Sequence, residues 1–215
     1  MKRIFDLIFS ISCLFLLSPI LTLFACFVYL QDFKNPFYMG ERIGLNKKSF
    51  MMLKLRSMRI DADRLGVDST ANDDERITKI GKVIRKFKID EIFQLWNVAK
   101  GEMSIVGPRP NVEKDVEIYT KLEEEIISIK PGITDFSSIV FSDEGDILAG
   151  SSEPDLLYNQ LIRPWKSRLA IFYVQNNNVY IDIKIILLTI ISLFNKKKAL
   201  NNKIKILKSK NVDEN

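Results

Sequence analysis

The chain has no histidine among its 215 residues. Histidine is the commonest side-chain base near neutral pH and the commonest metal ligand, so any catalysis must rest on other side chains. The two cysteines, Cys13 and Cys26, both fall inside the first apolar run and lack the spacing of a metal site. We therefore expect them to behave as small apolar residues, without a disulfide between them.

Internal repeats, a P-loop and a dinucleotide-binding fingerprint are also absent. The net charge is +5, and lysine and arginine are clustered along the chain. Such clusters indicate anionic partners, which include phosphates, nucleic acid and acidic lipid headgroups. Nucleic acid is disfavoured, because the chain has no nucleic-acid-binding motif, no aromatic stacking platform and a strongly apolar N-terminus.

The first long feature is the apolar run from Ile4 to Leu30. As a helix rising 1.5 Å per residue it is long enough to cross a hydrocarbon core of about 30 Å. No small-residue cleavage site ends the run, which argues against a cleaved signal peptide. Ser18-Pro19 lies near its middle, and a proline there deletes one backbone hydrogen bond, whose freed carbonyl a serine hydroxyl can satisfy. Sequence physics alone leaves a spanning helix and a re-entrant helix, kinked at Ser18-Pro19, equally open.

Two short apolar-rich segments, Phe37–Met39 and Phe50–Leu55, flank the polar stretch 44–48 and predict a β-hairpin. Lys54 and Arg56 alternate with apolar neighbours, so on a strand they would share one face. The pattern therefore predicts either a paired cationic patch or an ordinary solvated strand face.

The segment Arg76–Lys88 follows a polar, acidic stretch that reads as a loop, and it predicts a cationic amphipathic helix. Its apolar residues are spaced three, four and three apart, as one helical stripe requires. The remaining positions carry six basic side chains and no acidic one. A helix of this kind favours a membrane surface that carries anionic lipid. The stripe consists of Ile77, Ile80, Ile84 and Phe87.

Asp90 and Glu91 come next and predict the first turn of a second helix. Exposed N–H groups and the helix dipole favour anions and phosphates there. Two neighbouring carboxylates beside many cations are also suited to Mg²⁺, which takes one or two carboxylates together with phosphate oxygens. Taken alone, the pair is better explained by a plain helix cap with a Glu in the first turn, so by itself it is weak evidence for a site.

Gly107-Pro108-Arg109-Pro110 is a stiff segment, because each proline fixes its own φ and restricts the preceding residue. Arg109 is therefore presented with little conformational freedom. A guanidinium held in this way is suited to bidentate phosphate binding, although a rigid connecting loop would have the same sequence.

Taken together, these segments resemble the bacterial sugar transferase family, the small monotopic phosphoglycosyl transferases. The resemblance covers roughly residues 2–195, and the stretch from the Asp-Glu pair to Gly-Pro-Arg-Pro is its most specific part. The motifs that carry it are Ser18-Pro19, Lys54-Leu55-Arg56-Ser57-Met58, Thr78-Lys79-Ile80-Gly81-Lys82, Arg85 with Asp90-Glu91, Gln94-Leu95-Trp96-Asn97-Val98, Gly101 to Pro110, and Lys130-Pro131-Gly132-Ile133-Thr134.

The resemblance implies transfer of a sugar 1-phosphate from a UDP-sugar to undecaprenyl phosphate, with release of UMP, at the start of surface polysaccharide or glycoconjugate synthesis. Asp90 would be the nucleophile that forms a covalent phosphosugar intermediate. Glu91, with Asp90, would hold Mg²⁺, and four basic residues would contact substrate phosphates. Those four are Arg85, Arg109, Lys54 and Arg56.

The resemblance also implies a fold and a location. It makes residues 1–32 a re-entrant anchor in the inner membrane, residues 33–195 a catalytic domain on the cytoplasmic face, and residues 196–215 a basic tail. The expected fold is α+β and mostly helical, with interfacial amphipathic helices, a small hairpin or sheet and a short apolar helix at Tyr180–Phe194. Many family members have Gly at the position of Asp135, so nucleotide or sugar contacts are not carried over to that loop. The segment Ser142–Arg163 is longer than its counterpart in the smallest members, and we interpret it as a sugar-selecting loop.

A peripheral membrane scaffold that binds anionic lipid through the basic helix is the alternative, non-enzymatic function. Replacing Asp90 with Asn separates the two, because only a transferase would lose UMP release. The sequence leaves the donor sugar and any homo-oligomer open.

Overall fold

The computed structural model describes residues 2–62 and 70–194, and these form a mostly helical α+β fold as predicted. The predicted basic tail, 196–215, lies outside the described residues. The helices and strands are α1 Lys2–Asp32, β1 Phe37–Ile43, β2 Ser49–Leu55, α2 Lys79–Lys86, α3 Ile89–Ile92, α4 Leu95–Lys100, β3 Ser104–Val106, α5 Glu113–Glu117, β4 Gly132–Thr134, α6 Phe136–Val140, α7 Glu144–Leu148, α8 Pro154–Leu157, α9 Arg163–Asn176 and α10 Val179–Phe194.

Helix α1 is 31 residues long, and within the described ranges it alone is long and apolar enough to cross a membrane. Pro19 lies inside it, so the carbonyl of Phe15 loses its usual N–H partner. The hydroxyl of Ser18 donates to this same carbonyl at 2.8 Å. The serine hydroxyl therefore satisfies the carbonyl that the proline frees, and α1 continues through Ser18-Pro19 as one helix from Lys2 to Asp32. The kink predicted at Ser18-Pro19 stays a prediction.

The N-terminal end of α1 is hydrogen-bonded to the rest of the protein by two polar side chains, Arg3 and Asp6. Arg3 donates to the carbonyls of Val98 and Ala99, at the C-terminal end of α4. Asp6 is buried and accepts from Ser104 and from the backbone N–H of Ile105.

A further ion pair joins this end of α1 to helix α10. The ammonium of Lys2 lies 2.5 Å from a carboxylate oxygen of Asp182. The other oxygen of Asp182 accepts from the hydroxyl of Tyr173 in α9. Both the acceptor and the tyrosine are buried, so water competes little for these bonds.

The C-terminal end of α1 is bonded to the same domain. Asp32 accepts two hydrogen bonds from the guanidinium of Arg56, at 2.5 and 2.7 Å. Just before this end, Val28 is buried in an apolar cluster with Leu55 and Ile84. Because both ends of α1 contact one domain, the helix is part of the fold and is not a separate appendage.

Strands β1 and β2 form the predicted antiparallel hairpin, with Phe37 opposite Leu55 and Ile43 opposite Ser49. Asn46 and Lys47, in the turn between the strands, both have positive φ. This backbone conformation reverses the chain within a few residues. The hairpin was foreseeable because apolar runs and turn residues are both local signals.

Strands β3 and β4 form a second, parallel pair that places the Gly-Pro-Arg-Pro segment beside the loop before β4. A Cβ on Gly107 would lie 2.5 Å from the carbonyl oxygen of Lys130, and one on Gly132 would lie 2.1 Å from the nitrogen of Gly107. Only glycine fits at these two positions, because the two backbones touch there. Because the backbone is fixed at Gly107, the start of the short segment that carries Arg109 is fixed as well.

The main apolar core is built by β2, α4, β3, α6, α9 and α10. The predicted apolar helix at the C-terminus is present as α10, whose Ile181 and Ile185 are buried. The predicted loop over Ser142–Arg163 is largely helical instead, because it contains α7, α8 and a π-helical turn before α9 begins. These helices are short, and the sequence has no long periodic pattern there from which to predict them.

Helix α2 begins later than the predicted helix. Thr78 caps it, its hydroxyl accepting from the N–H of Gly81, and the helix runs only from Lys79 to Lys86. Ile77 and Ile84 are buried, as the apolar stripe predicts, but Phe87 lies past the helix and is exposed. The stripe therefore packs on the protein at one end and reaches the surface at the other.

Candidate active site

Asp90 and Glu91 lie in the first turn of α3, where the sequence places them. The residue before the helix, Lys88, has φ of 55°, which turns the chain sharply between α2 and α3. The predicted meeting of two helices near residue 89 is confirmed, and Arg85 stands in the last turn of α2 beside the carboxylate pair.

Glu91 is held by two basic side chains. Arg109 donates from both terminal nitrogens to the two oxygens of Glu91, one of these contacts being 3.1 Å long. The ammonium of Lys54, on β2, lies 4.0 Å from the same carboxylate. Burial alone would raise the pKa of Glu91, but the charges of Arg109 and Lys54 hold that pKa well below its usual range.

Asp90 has a different environment from its neighbour. Its side chain is buried, and one oxygen, Oδ1, has no hydrogen-bond partner among residues 2–62 and 70–194. Burial, and then the charge of Glu91, raise the pKa of Asp90, while the charges of Lys54 and Arg85 oppose this shift. A buried carboxylate oxygen without a donor is uncommon in folded proteins and calls for an explanation.

Lys54 and Arg109 face the pair with opposite pKa shifts. Burial and the nearby charge of Arg109 lower the pKa of Lys54 to about 8, although both carboxylates counteract this. The charge of Glu91 raises the pKa of Arg109, which stays protonated. Of these two cations, Arg109 is therefore permanent, whereas Lys54 loses its charge in mildly alkaline solution.

The structure separates Arg56 from Lys54, which corrects the predicted paired cationic patch. Arg56 follows the end of β2, is buried, and donates to Asp32 and to the carbonyl of Asn35. Its guanidinium is used to hold the end of α1. The pattern of alternating residues missed this, because the acidic partner lies 24 positions earlier in the chain.

Gln94 is a residue of the site that the residue-by-residue interpretation missed. It is 1% exposed, and within the part of the chain that the structure describes its amide nitrogen has no hydrogen-bond partner. Gln94 lies in the turn between α3 and α4, where its backbone N–H donates to the carbonyl of Glu91. By contrast, the amide of Asn97 bonds the backbone of Met51 and Leu53, joining α4 to β2. For Gln94, the only signal available in the sequence was its place in the family motif Gln94-Leu95-Trp96-Asn97-Val98.

Two further carboxylates lie within electrostatic reach of Arg109. They are Glu144, in α7, and Asp135, and the negative charge of each raises the pKa of the guanidinium. Asp135 caps α6 by accepting from the N–H of Ser138 and from two serine hydroxyls. The departure from the family's glycine thus has a local structural role, since the carboxylate closes the N-terminus of a helix.

Asp90 and Glu91 are a donor set of the kind that Mg²⁺ takes together with phosphate oxygens. Asp90 has an oxygen without a donor, and each ionised carboxylate oxygen of Glu91 has a further lone pair beside its bond to Arg109. In the parts of the chain that the structure describes, no group of three or more His, Cys, Asp or Glu side chains is placed to hold a metal. A phosphate would therefore have to complete the coordination.

Comparison with known proteins gives a consistent result. Residues 1–196 match the family described as bacterial sugar transferase. The chain is 34% identical over 206 residues to the exopolysaccharide production protein ExoY of Sinorhizobium fredii, covering 88% of this chain and 83% of that protein.

Two longer proteins are also similar. The undecaprenyl-phosphate glucose phosphotransferase of Komagataeibacter xylinus is 35% identical, and the UDP-galactose-lipid carrier transferase of Erwinia amylovora is 34% identical. Each match covers 88% of this chain, but only 35% and 39% of the respective relative.

Proposed function

The chain belongs to the bacterial sugar transferase family, and we propose that it transfers a sugar 1-phosphate from a UDP-sugar to undecaprenyl phosphate with release of UMP. The observation that carries this proposal is the unpartnered, buried oxygen of Asp90 beside Lys54, Arg85 and the Glu91–Arg109 pair. A carboxylate in this setting is suited to attack a phosphate that the cations hold.

In the first step, an oxygen of Asp90 forms a bond to the β-phosphorus of the UDP-sugar. The bond from that phosphorus to the bridging oxygen breaks, and UMP leaves with the oxygen and the bonding electrons. In the second step, a phosphate oxygen of the lipid carrier attacks the same phosphorus. The aspartyl bond breaks, which restores the carboxylate and gives the sugar diphosphate lipid. No histidine is needed, because neither step requires a side chain to remove a proton.

The basic residues bind and orient the phosphates. Arg109 is already paired in bidentate geometry with Glu91, and phosphate oxygens match the same fork of donors. Lys54 contributes a second positive charge, and Arg85 lies close enough to influence the pKa of Asp90. The amide nitrogen of Gln94 is a buried donor available to a phosphate oxygen. Glu91 holds Arg109 and Lys54 in place before the donor binds.

Mg²⁺, held by Asp90 and Glu91, would neutralise negative charge on the diphosphate and so favour departure of UMP. This assignment rests on the chemistry of the two carboxylates. Removal of divalent metal with a chelator is expected to abolish UMP release, and full activity without metal would refute it.

The arrangement of α1 supports a re-entrant anchor. Lys2 and Arg3 at one end and Asp32 at the other all bond to the domain that carries Asp90. Both ends of the helix then lie on the side of the membrane where the domain lies. Positive residues favour the cytoplasmic side, so we place the domain at the cytoplasmic face of the inner membrane.

The test is a UMP-release assay across a panel of UDP-sugars, with undecaprenyl phosphate as acceptor. Asp90→Asn should abolish release while the protein stays membrane-bound, whereas Asp115→Asn, also in the first turn of a short helix, should be unaffected. A scaffold that only binds lipid would be indifferent to Asp90→Asn, and equal activity of both variants would exclude the transferase mechanism.

A further inference from the structure

Helix α7 is linked on two sides to the segments that carry cations of the site. Its chain comes from β4 through α6, and β4 adjoins the Gly-Pro-Arg-Pro segment, because the N–H of Gly107 donates to the carbonyl of Thr134 at 3.1 Å. Arg109 follows Gly107 by two residues. On its other side, α7 contacts the loop that leads into α2, the helix that carries Arg85. The helix therefore borders the site at which the donor phosphates are proposed to bind.

Three hydrogen bonds attach α7 to the loop before α2. Asn72 donates from its backbone N–H to the carbonyl of Gly145 at 2.9 Å, and from its side-chain amide to Asp146 at 2.5 Å. The N–H of Gly150, just past the helix, donates to Asp73 at 3.0 Å. A Cβ on Gly145 would lie 2.2 Å from the side-chain oxygen of Asn72. The loop and the helix are therefore in direct contact, and α7 is held in one position.

Glu144, in α7, has a carboxylate that is held by a lysine of α9. The ammonium of Lys166 donates to Oε2 of Glu144 at 2.5 Å and lies 4.9 Å from the centroid of the Tyr158 ring. The side chain of Glu144 is 30% exposed and that of Lys166 is 19% exposed, so the carboxylate is the more accessible partner. Its negative charge also reaches Arg109, whose pKa it raises. The carboxylate is thus both fixed and accessible near the guanidinium that is proposed to hold a donor phosphate.

The surface around Glu144 is acidic, whereas the carboxylate pair of the site is surrounded by cations. In the facing segments 72–76 and 143–146, six side chains are acidic and one is basic. Such a surface repels phosphate, but sugar hydroxyls donate to ionised carboxylates, and these charge-assisted hydrogen bonds are strong. Because the sugar of the donor is bonded to the β-phosphate, it must lie directly beside the cations that hold that phosphate. The sugar is therefore the part of the donor that suits the surface of α7.

We propose that Glu144 contacts the sugar of the donor and selects neutral or amino sugars over uronic acids. This inference rests on the proposed function, which places the β-phosphate of the donor at Asp90. The carboxylate of Glu144 accepts hydrogen bonds from the sugar, and Lys166 positions that carboxylate. A uronic acid would bring another carboxylate against the acidic surface, and such like-charge contacts are a source of specificity. The sugar-selecting role predicted for Ser142–Arg163 is thereby narrowed to one side chain.

A binding assay with the full-length protein tests this selection without requiring turnover. UDP-glucose and UDP-glucuronic acid differ only at carbon 6 of the sugar, and UDP has no sugar. Isothermal titration should give a Kd for UDP-glucose about tenfold lower than the Kd for UDP-glucuronic acid. In Glu144→Gln this ratio should fall to about threefold or less, because one negative charge is removed. The Kd for UDP should not change in this variant.

Two further variants separate contact with the sugar from a structural role of the ion pair. Lys166→Gln breaks the same pair but keeps the carboxylate, so the preference for UDP-glucose should persist. Glu124 is also paired with a lysine, Lys47, at 3.0 Å, and Glu124→Gln should leave all three Kd values unchanged. Equal loss of the preference in Glu144→Gln and Lys166→Gln would mean that the pair acts only on the fold, and it would overturn the proposal.

Other outcomes of the titrations would contradict the role of Glu144 directly. Equal affinity of the unmodified protein for UDP-glucose and UDP-glucuronic acid would do so, as would an undiminished preference in Glu144→Gln. A parallel loss of UDP affinity in Glu144→Gln would place the effect at the nucleotide and overturn the proposal as well. A binding preference that depends on Glu144 would stand even if no donor released UMP, so failure of the proposed function is distinguishable from failure of this inference.

Discussion

Two groups of buried carboxylates differ in how completely their oxygens are hydrogen-bonded. Around the start of α1, both oxygens of Asp6 and both oxygens of Asp182 have donors. At the start of α3, Glu91 is equally well paired, but Asp90 keeps an oxygen without a donor. A satisfied buried carboxylate stabilises a fold, whereas an unsatisfied one costs stability and is retained for another reason. The comparison therefore distinguishes an anchoring cluster, which contains Asp6 and Asp182, from a reactive cluster, which contains Asp90 and Glu91.

The largest expected effect comes from exchanging one aspartate of each cluster for asparagine. Asp90→Asn should reduce UMP release by about 10⁴-fold or more and should raise the Tm. The folded-state pKa of Asp90 is raised, so its ionised form destabilises the protein at neutral pH, and a neutral amide removes that cost. Differential scanning calorimetry with the UMP assay measures both.

The matched change in the anchoring cluster should have the opposite pattern. Asp182→Asn weakens a half-buried ion pair with Lys2 and changes the acceptor of the buried Tyr173 hydroxyl, so it should lower the Tm by roughly 5 °C, while the folded fraction keeps its kcat. If Asp182→Asn lost activity without losing stability, the distinction between the two clusters would be wrong.

The second effect concerns the two arginines that each hold a carboxylate with two hydrogen bonds. Arg109→Lys keeps the charge but loses the fork of donors, so kcat/KM for the UDP-sugar should fall about 100-fold. Arg56→Lys should leave kcat/KM within about threefold and instead loosen the end of α1, which limited proteolysis near Asp32 would detect. If both variants lost kcat/KM equally, Arg56 would contribute to substrate binding, as the predicted cationic patch with Lys54 requires.

The third effect compares two buried amides. Gln94 has an unpartnered nitrogen, whereas Asn97 is fully bonded between α4 and β2. Gln94→Leu should reduce kcat roughly tenfold with little change in Tm, because a hydrogen bond to a charged phosphate is lost only during turnover. Asn97→Leu should lower the Tm instead. A Tm loss in Gln94→Leu with unchanged kcat would make Gln94 a structural residue.

The smallest effect is a change in the pH profile. The pKa of Lys54 is about 8, so raising the pH through that value removes its positive charge, and kcat/KM should fall severalfold on the alkaline side. Lys54→Arg keeps the charge and should move this fall to higher pH. On the acidic side, the raised pKa of Asp90 should start the loss of activity above the pH expected for an ordinary aspartate, about 3.9. If the alkaline fall in kcat/KM occurred at the same pH in Lys54→Arg, deprotonation of Lys54 would be excluded as its cause.

Features with local causes were predictable from the sequence. The hairpin follows from apolar runs around a turn, and the bond from Ser18 to the carbonyl freed by Pro19 follows from one turn of helix. The meeting of α2 and α3 beside Asp90 was foreseen from residue spacing. The late start of α2 is a smaller miss, since Thr78 was available as a capping signal.

Features that depend on distant partners were not predictable. The pairing of Arg56 with Asp32, and of Asp6 with β3, joins residues that no pattern in a single sequence connects. The same holds for Glu91 and Arg109, 18 positions apart, whose contact requires the backbone crossing at Gly107. For the same reason, the sequence indicated which residues matter at the site but not which of them hold one another.

The bonding of both ends of α1 has a practical consequence for producing the protein. A shortened chain that begins after Asp32 would leave the buried guanidinium of Arg56 without its carboxylate and Ser104 without Asp6, and breaking buried pairs in this way is costly. Deleting the hydrophobic segment to obtain a water-soluble enzyme would then remove part of the interior as well. Extraction conditions that keep the whole polypeptide intact are therefore a requirement for biochemistry on this transferase.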